Sequence, residues 1–135
     1  RPTSMTPDTL LDVSVLDKAL QSFADARQWQ QYHSPKNLAM ALTGEVGELV
    51  ELFQWLTEDE SRQVMQYAHT ADAVRDELAD VLMYLVRLSS VLGVDLNDAV
   101  TRKLAKNGKK YPPGDSRPSR QQHNQDNFGT CPERT

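Results

Sequence analysis

The sequence predicts an all-α fold, a helical bundle of about four main helices. Three observations carry this. Apolar residues recur at helical spacing through most of residues 13 to 110, no segment alternates with period two for long enough to form a sheet, and the 7 Pro and 6 Gly fall mostly outside the periodic segments. A chain of 135 residues supports one domain with a modest core. The expected organisation is a lead-in over 1–12, a helical domain over 13–112 and a disordered tail over 113–135. Met5 is expected to be the natural start, with Arg1 to Ser4 a remnant of cloning.

Val15, Leu16, Ala19, Leu20, Phe23 and Ala26 predict a first helix over residues 13–31. Ser34 then offers an N-cap and Pro35 a first helical residue whose missing N–H costs nothing, so a second helix is expected over 35–56. Thr57 and Glu60 have the spacing of a capping box and start a short helix or turn. A long helix over 72–92 follows from Val74, Leu78, Val81, Leu85, Leu88 and Leu92, with Gly93 as its stop. Asp95 and Asp98 begin a last helix, which Gly108, Pro112 and Pro113 bring to an end.

The formal charge of −4 lacks the clustered basic face that binds a nucleic acid polymer. No apolar stretch resembles a signal peptide or approaches the roughly 20 residues that span a bilayer. A single cysteine leaves no intrachain disulfide, and a cytoplasmic location is expected.

The informative anomaly lies in "TGEVGELVELFQWL", residues 43–56. At about 100° per residue, Leu38, Leu42, Leu49, Leu52 and Leu56 point within roughly 40° of one direction, and Glu45 falls among them. Glu48 lies one turn on, at the stripe's edge, whereas Glu51 points away. In the later helix Glu77 borders the apolar stripe, Asp80 lies beside it and Tyr84 extends the same strip. A carboxylate in an apolar stripe is costly unless paired, hydrogen-bonded or bound to a cation. Arg75 and Arg87 are not directed at Glu77 and Asp80 on the helical wheel, so a divalent cation is the simpler compensation. With the two helices antiparallel, Glu45, Glu48, Glu77 and Asp80 form an all-oxygen set suited to Mg²⁺, with Mn²⁺ as a substitute. Taken singly, a Glu-x-x-Glu is usually a solvated face, and a Lys-rich helix end merely complements the helix dipole.

The blocks "GEVGELVELFQW", "DELADVLMYLVRL" and "KLAKNGKKYP" resemble the all-α nucleoside triphosphate pyrophosphohydrolases of the MazG type, and among them the single-domain dCTP pyrophosphatases. The resemblance covers residues 13–112. It implies Mg²⁺-dependent hydrolysis of a deoxynucleoside triphosphate to monophosphate and pyrophosphate, in a house-cleaning role. It implies metal and catalytic roles for Glu45, Glu48, Glu77 and Asp80, and phosphate contacts for Lys103, Asn107, Lys110 and Tyr111. It also implies a base and sugar site from Trp29, His33, Asn37, Trp55 and Tyr84, and a homo-oligomer, dimer or tetramer, with sites near subunit interfaces. Two other readings stay open: a phosphoribosyl-ATP pyrophosphohydrolase on a related fold, and a non-catalytic helical module that binds Mg²⁺. The long charged stretch between the acidic pairs and the tail depart from the family pattern.

Overall fold

The computed structural model describes residues 9–114. The expected cloning remnant and the expected tail from residue 115 onward lie outside them. Every regular element among the described residues is helical: α1 Ser14–Ala26, α2 Pro35–Glu51, α3 Glu58–Arg62, α4 Ala68–Leu92 and α5 Leu96–Lys110, with single 3-10 turns at Trp29–Tyr32 and Val64–Gln66. Among the described residues no helix is long and apolar enough to cross a membrane.

The helix boundaries follow from local chemistry. Asp12 Oδ1 accepts from both the backbone N–H and the hydroxyl of Ser14, which fixes the entry to α1 and holds the Asp12 carboxyl below its usual range. The first helix stops at Ala26 and not at residue 31. Gln28 adopts left-handed backbone angles (φ 54°) and donates its N–H to Asp25, turning the chain into the 3-10 segment. Ser34 caps α2 as its position predicts, accepting from Asn37 N–H at 3.2 Å. That helix ends at Glu51, because from Leu52 on the chain changes to tighter bonds such as Leu52 N–H to Leu49 O. Thr57 and Glu60 complete a reciprocal capping box, Glu60 N–H to Thr57 Oγ1 at 3.2 Å and Thr57 N–H to Glu60 Oε1 at 2.9 Å. Gly93 (φ 69°) closes α4 in a Schellman arrangement, with Val94 N–H on Ser89 O and Gly93 N–H on Ser90 O.

Two compact units divide the chain, Arg1–Thr101 and Arg102–Thr135. In the first, α4 is the central element, and both α2 and α1 pack against it. The pairing is antiparallel: His33, just ahead of α2, reaches Arg87 late in α4, whereas Glu48 farther along α2 meets Glu77 ten residues earlier. Its apolar core is small, comprising Ala24, Leu38, Val64, Ala71, Val74 and Val86. The stripe expected to bury α4 does so only in part. Val74 is buried, but Leu78 is 52% exposed, Leu85 and Leu92 are exposed too, and so is Leu82 beside the stripe. In the second unit Tyr111 N–H continues the helical bonding onto Asn107 O, and the Lys110 ammonium lies 5.5 Å from the Tyr111 ring centroid.

Leu38 is only 1% exposed, so Leu38→Ala is expected to lower unfolding stability by about 2–5 kcal/mol. Thr57→Ala removes one exposed cap and should cost about 1 kcal/mol. Urea denaturation of both variants checks the order, and a smaller loss for Leu38→Ala would contradict this core.

Candidate functional site

The carboxylates of Glu45, Glu48 and Glu77 each bring an oxygen within 4.8 Å of the others. Two of these groups are half-buried, and Glu45 Oε2 and Glu77 Oε2 are buried with no hydrogen-bond partner. Two orphaned acceptors in a like-charged cluster are an unstable arrangement without positive charge. Both carboxyls are raised in consequence: desolvation first, then the charge of Glu48, pushes Glu77 up to about 7. Glu45 is raised by desolvation and then by the charges of Glu48 and Asp80. An all-oxygen donor set with no His or Cys fits a hard divalent ion such as Mg²⁺. Asp80 stands outside the three-oxygen group, near enough to act on Glu45 through its charge.

A cavity of about 420 Å³ adjoins Asp80, lined by apolar side chains of α1 together with Trp29, His33, Met83, Tyr84 and Arg87. Helical spacing explains its polar side, since Asp80, Tyr84 and Arg87 at i, i+4 and i+7 share one face of α4. Phe23 and Trp29 meet edge to face at 5.5 Å between centroids, and the Trp29 and His33 rings lie 5.9 Å apart.

Arg87 is a cavity residue that the sequence did not single out. It is 6% exposed, donates from Nε to His33 Nδ1 at 3.1 Å and from Nη1 to Gln21 Oε1 at 2.5 Å. Accepting at Nδ1 leaves the His33 proton on Nε2. Desolvation first and then the Arg87 charge lower the His33 pKa, so the ring is neutral at pH 7. The sequence signal was an arginine seven residues beyond Asp80 on a helix otherwise apolar there.

Of the expected base and sugar residues, Trp29, His33 and Tyr84 are brought together in this cavity. Two are not among its lining. The Asn37 amide donates to Tyr32 O at 3.1 Å, and Trp55 is 87% exposed in the turn where α2 has already ended. Lys103, Asn107 and Lys110 lie on α5 at i, i+4 and i+7, with Tyr111 just beyond its end, all within the second compact unit.

Residues 41–125 match the MazG-like family. The chain is 43% identical over 113 residues to dCTP pyrophosphatase 1 of Mus musculus, covering 83% of this chain and 65% of that protein. It is 44% identical over 110 residues to dCTP pyrophosphatase 1 of Homo sapiens, covering 81% of this chain and 63% of that protein. It therefore spans less than two thirds of the length of both relatives. A crystal structure of a pyrophosphatase from Archaeoglobus fulgidus superposes with a TM-score of 0.69 and 42% identity, covering 74% of this chain and 92% of the other.

The raised Glu77 carboxyl gives a pH signature. Between 4.5 and about 7 the metal-free folded state holds a proton that the unfolded state has released. This group's stabilisation is therefore present at low pH and lost as pH rises through that window. His33, lowered on folding, tilts stability the opposite way, so a comparison isolates Glu77. In EDTA, the thermal midpoint of Glu77→Gln relative to wild type should climb as pH rises from about 5 to about 8. A difference independent of pH would contradict the cluster.

Proposed function

The chain belongs to the MazG-like family, and on that basis we propose that it is a Mg²⁺-dependent nucleoside triphosphate pyrophosphohydrolase. The reaction is hydrolysis of a deoxynucleoside triphosphate, dCTP or a related or modified deoxynucleotide, to the monophosphate and pyrophosphate. Its role is clearing surplus or damaged nucleotides from the cytoplasmic pool. The observation that carries the reading is the pair of buried, unpartnered oxygens of Glu45 and Glu77 beside an aromatic-walled cavity.

Glu45, Glu48 and Glu77 hold the metal in this proposal, and Asp80 completes the acidic set at the mouth of the cavity. Bound there, Mg²⁺ supplies charge neutralisation for the phosphates and lowers the pKa of water. A water oxygen bonds to the α-phosphorus as the bond to the bridging oxygen breaks, pyrophosphate leaves, and a carboxylate of the cluster takes the water's proton. The apolar walls around Trp29 exclude water and offer a surface for the base, while Tyr84 lies between that wall and Asp80 and contacts the sugar. Lys103, Asn107, Lys110 and Tyr111 contact phosphate oxygens, a role taken from the family resemblance.

Self-assembly is part of the proposal. Leu78, Leu82, Leu85 and Leu92 point within roughly 40° of one direction on α4 and are all exposed. Such a contiguous apolar row favours burial against a second copy.

The decisive assay incubates protein, Mg²⁺ and a panel of canonical and modified triphosphates plus phosphoribosyl-ATP, resolving monophosphate and pyrophosphate from diphosphate and phosphate. One favoured deoxynucleotide should yield monophosphate and pyrophosphate, and EDTA should stop it. Turnover of phosphoribosyl-ATP alone would replace the substrate, and no turnover at all would overturn the enzymatic reading.

Glu45→Ala and Asp80→Ala should each abolish turnover with nearly unchanged helical circular dichroism. Mg²⁺ should raise the thermal midpoint of wild type and do so less in Glu45→Ala, since a ligand bound only by the folded state stabilises it. Activity retained in both variants would sink the site.

A further inference from the structure

We infer that Arg87 selects the base, reading the adjacent acceptors of a cytosine ring in the cavity. The inference rests on the nucleotide reading above and names a determinant of its specificity.

A buried guanidinium normally carries a carboxylate partner, because an unpaired buried charge is expensive. Arg87 makes no ion pair with a carboxylate among the described residues; it bonds instead to His33 and Gln21. Its two acceptors, His33 Nδ1 and Gln21 Oε1, are neutral groups. Five N–H donors less two leaves three, one on Nη1 and both on Nη2. Arg87 lines the cavity, so these donors are available to an occupant. The two neutral partners fix the plane of the group without spending its charge.

Position along α4 then says what the occupant presents. Asp80 and Arg87 line the same cavity, seven residues apart on one helix, hence about 10 Å along its axis. That is comparable to the reach from an α-phosphate to the far edge of its base. With the phosphates at the acidic cluster, the base edge falls at Arg87.

A donor-only group needs acceptors. Cytosine offers O2 and N3 side by side, a pair that a guanidinium can meet with parallel N–H groups. Uracil and thymine carry an N3–H between their carbonyls, which confronts the donors with another donor. Adenine lacks a carbonyl. Guanine has an O6/N7 pair, but its second ring asks more of a cavity already bounded by Phe23, Trp29 and Met83. Among pyrimidines the site therefore prefers cytosine.

The test compares kcat/KM for dCTP and dUTP in wild type, Arg87→Lys and Arg87→Met. Wild type should favour dCTP by roughly 10- to 100-fold, the range of one good paired contact. Both variants should bring that ratio toward one, chiefly through KM for dCTP. Structural damage alone would lower both substrates together and leave the ratio intact, which would overturn the inference. A second measurement avoids both folding of the variants and turnover. Deoxycytidine and deoxyuridine are titrated into wild type in EDTA, with the Trp29 indole resonance followed by NMR. Tighter binding of deoxycytidine supports the role of Arg87, and equal or absent binding of both overturns it. Base-selective binding without hydrolysis of any triphosphate would defeat the proposed activity alone, whereas hydrolysis indifferent to the base would defeat only this inference.

Discussion

Three carboxylates that crowd within 4.8 Å of one another between two packed helices set the terms for the rest of this structure. Helix packing ordinarily rewards apolar side chains at such positions, and Glu45 occupies the centre of a stripe otherwise made of leucines. The fold tolerates it because its stripe neighbours on α2 are covered by the chain, Leu38 buried and Leu42 and Leu49 half-buried on either side of it. Burial first and then the charge of Glu48 lift the Glu77 carboxyl to about 7, and protonation relieves that repulsion in part. A cation relieves it more completely, and the arrangement is therefore built for a state with added positive charge.

Much of this was legible in the sequence because the signals were short-range. Ser34 with Pro35, Thr57 with Glu60 and Gly93 each act within a few residues, and each is found capping or closing the helix it predicts. The acidic pairs were legible for the same reason, since a carboxylate at a core position shows in the helical period. What escaped was unmarked by residue type, and for Arg87 it depends on contacts distant in sequence. Gln28 carries no mark of a left-handed residue, and α1 ends there through a turn bonded back to Asp25. The family resemblance implied a place for Trp55 in the base site, but the change to tighter bonding after Glu51 leaves it exposed. Arg87 is expected on the helical wheel to point away from Glu77 and Asp80, yet seven residues bring it back to the face of Asp80, and both line one cavity. The actual partners of Arg87, Gln21 and His33, lie 66 and 54 residues away, beyond any local pattern.

The exposed leucines of α4 show a different limit of sequence reading. Periodicity reports which residues share a face, and it cannot say whether the cover comes from the same chain. Val74 and Leu78 belong to one apolar stripe, yet the first is buried and the second half open. A small intrachain core and an uncovered row on its central helix go together: a chain of this size buries little surface by itself, and the proposed self-assembly would cover the row.

Helix α4 thus serves opposite faces with opposite chemistry. One face carries the open leucine row, and the other carries Asp80, Tyr84 and Arg87 along the cavity. Charge along that second face runs from negative at the carboxylate cluster to positive at Arg87. A metal-free triphosphate would therefore be repelled where its phosphates belong and attracted to the opposite end. Under the proposed function, cation binding at Glu45, Glu48 and Glu77 would remove the repulsion and leave Arg87 to the uncharged base, so the ion that suits the chemistry would also determine which way round the nucleotide lies.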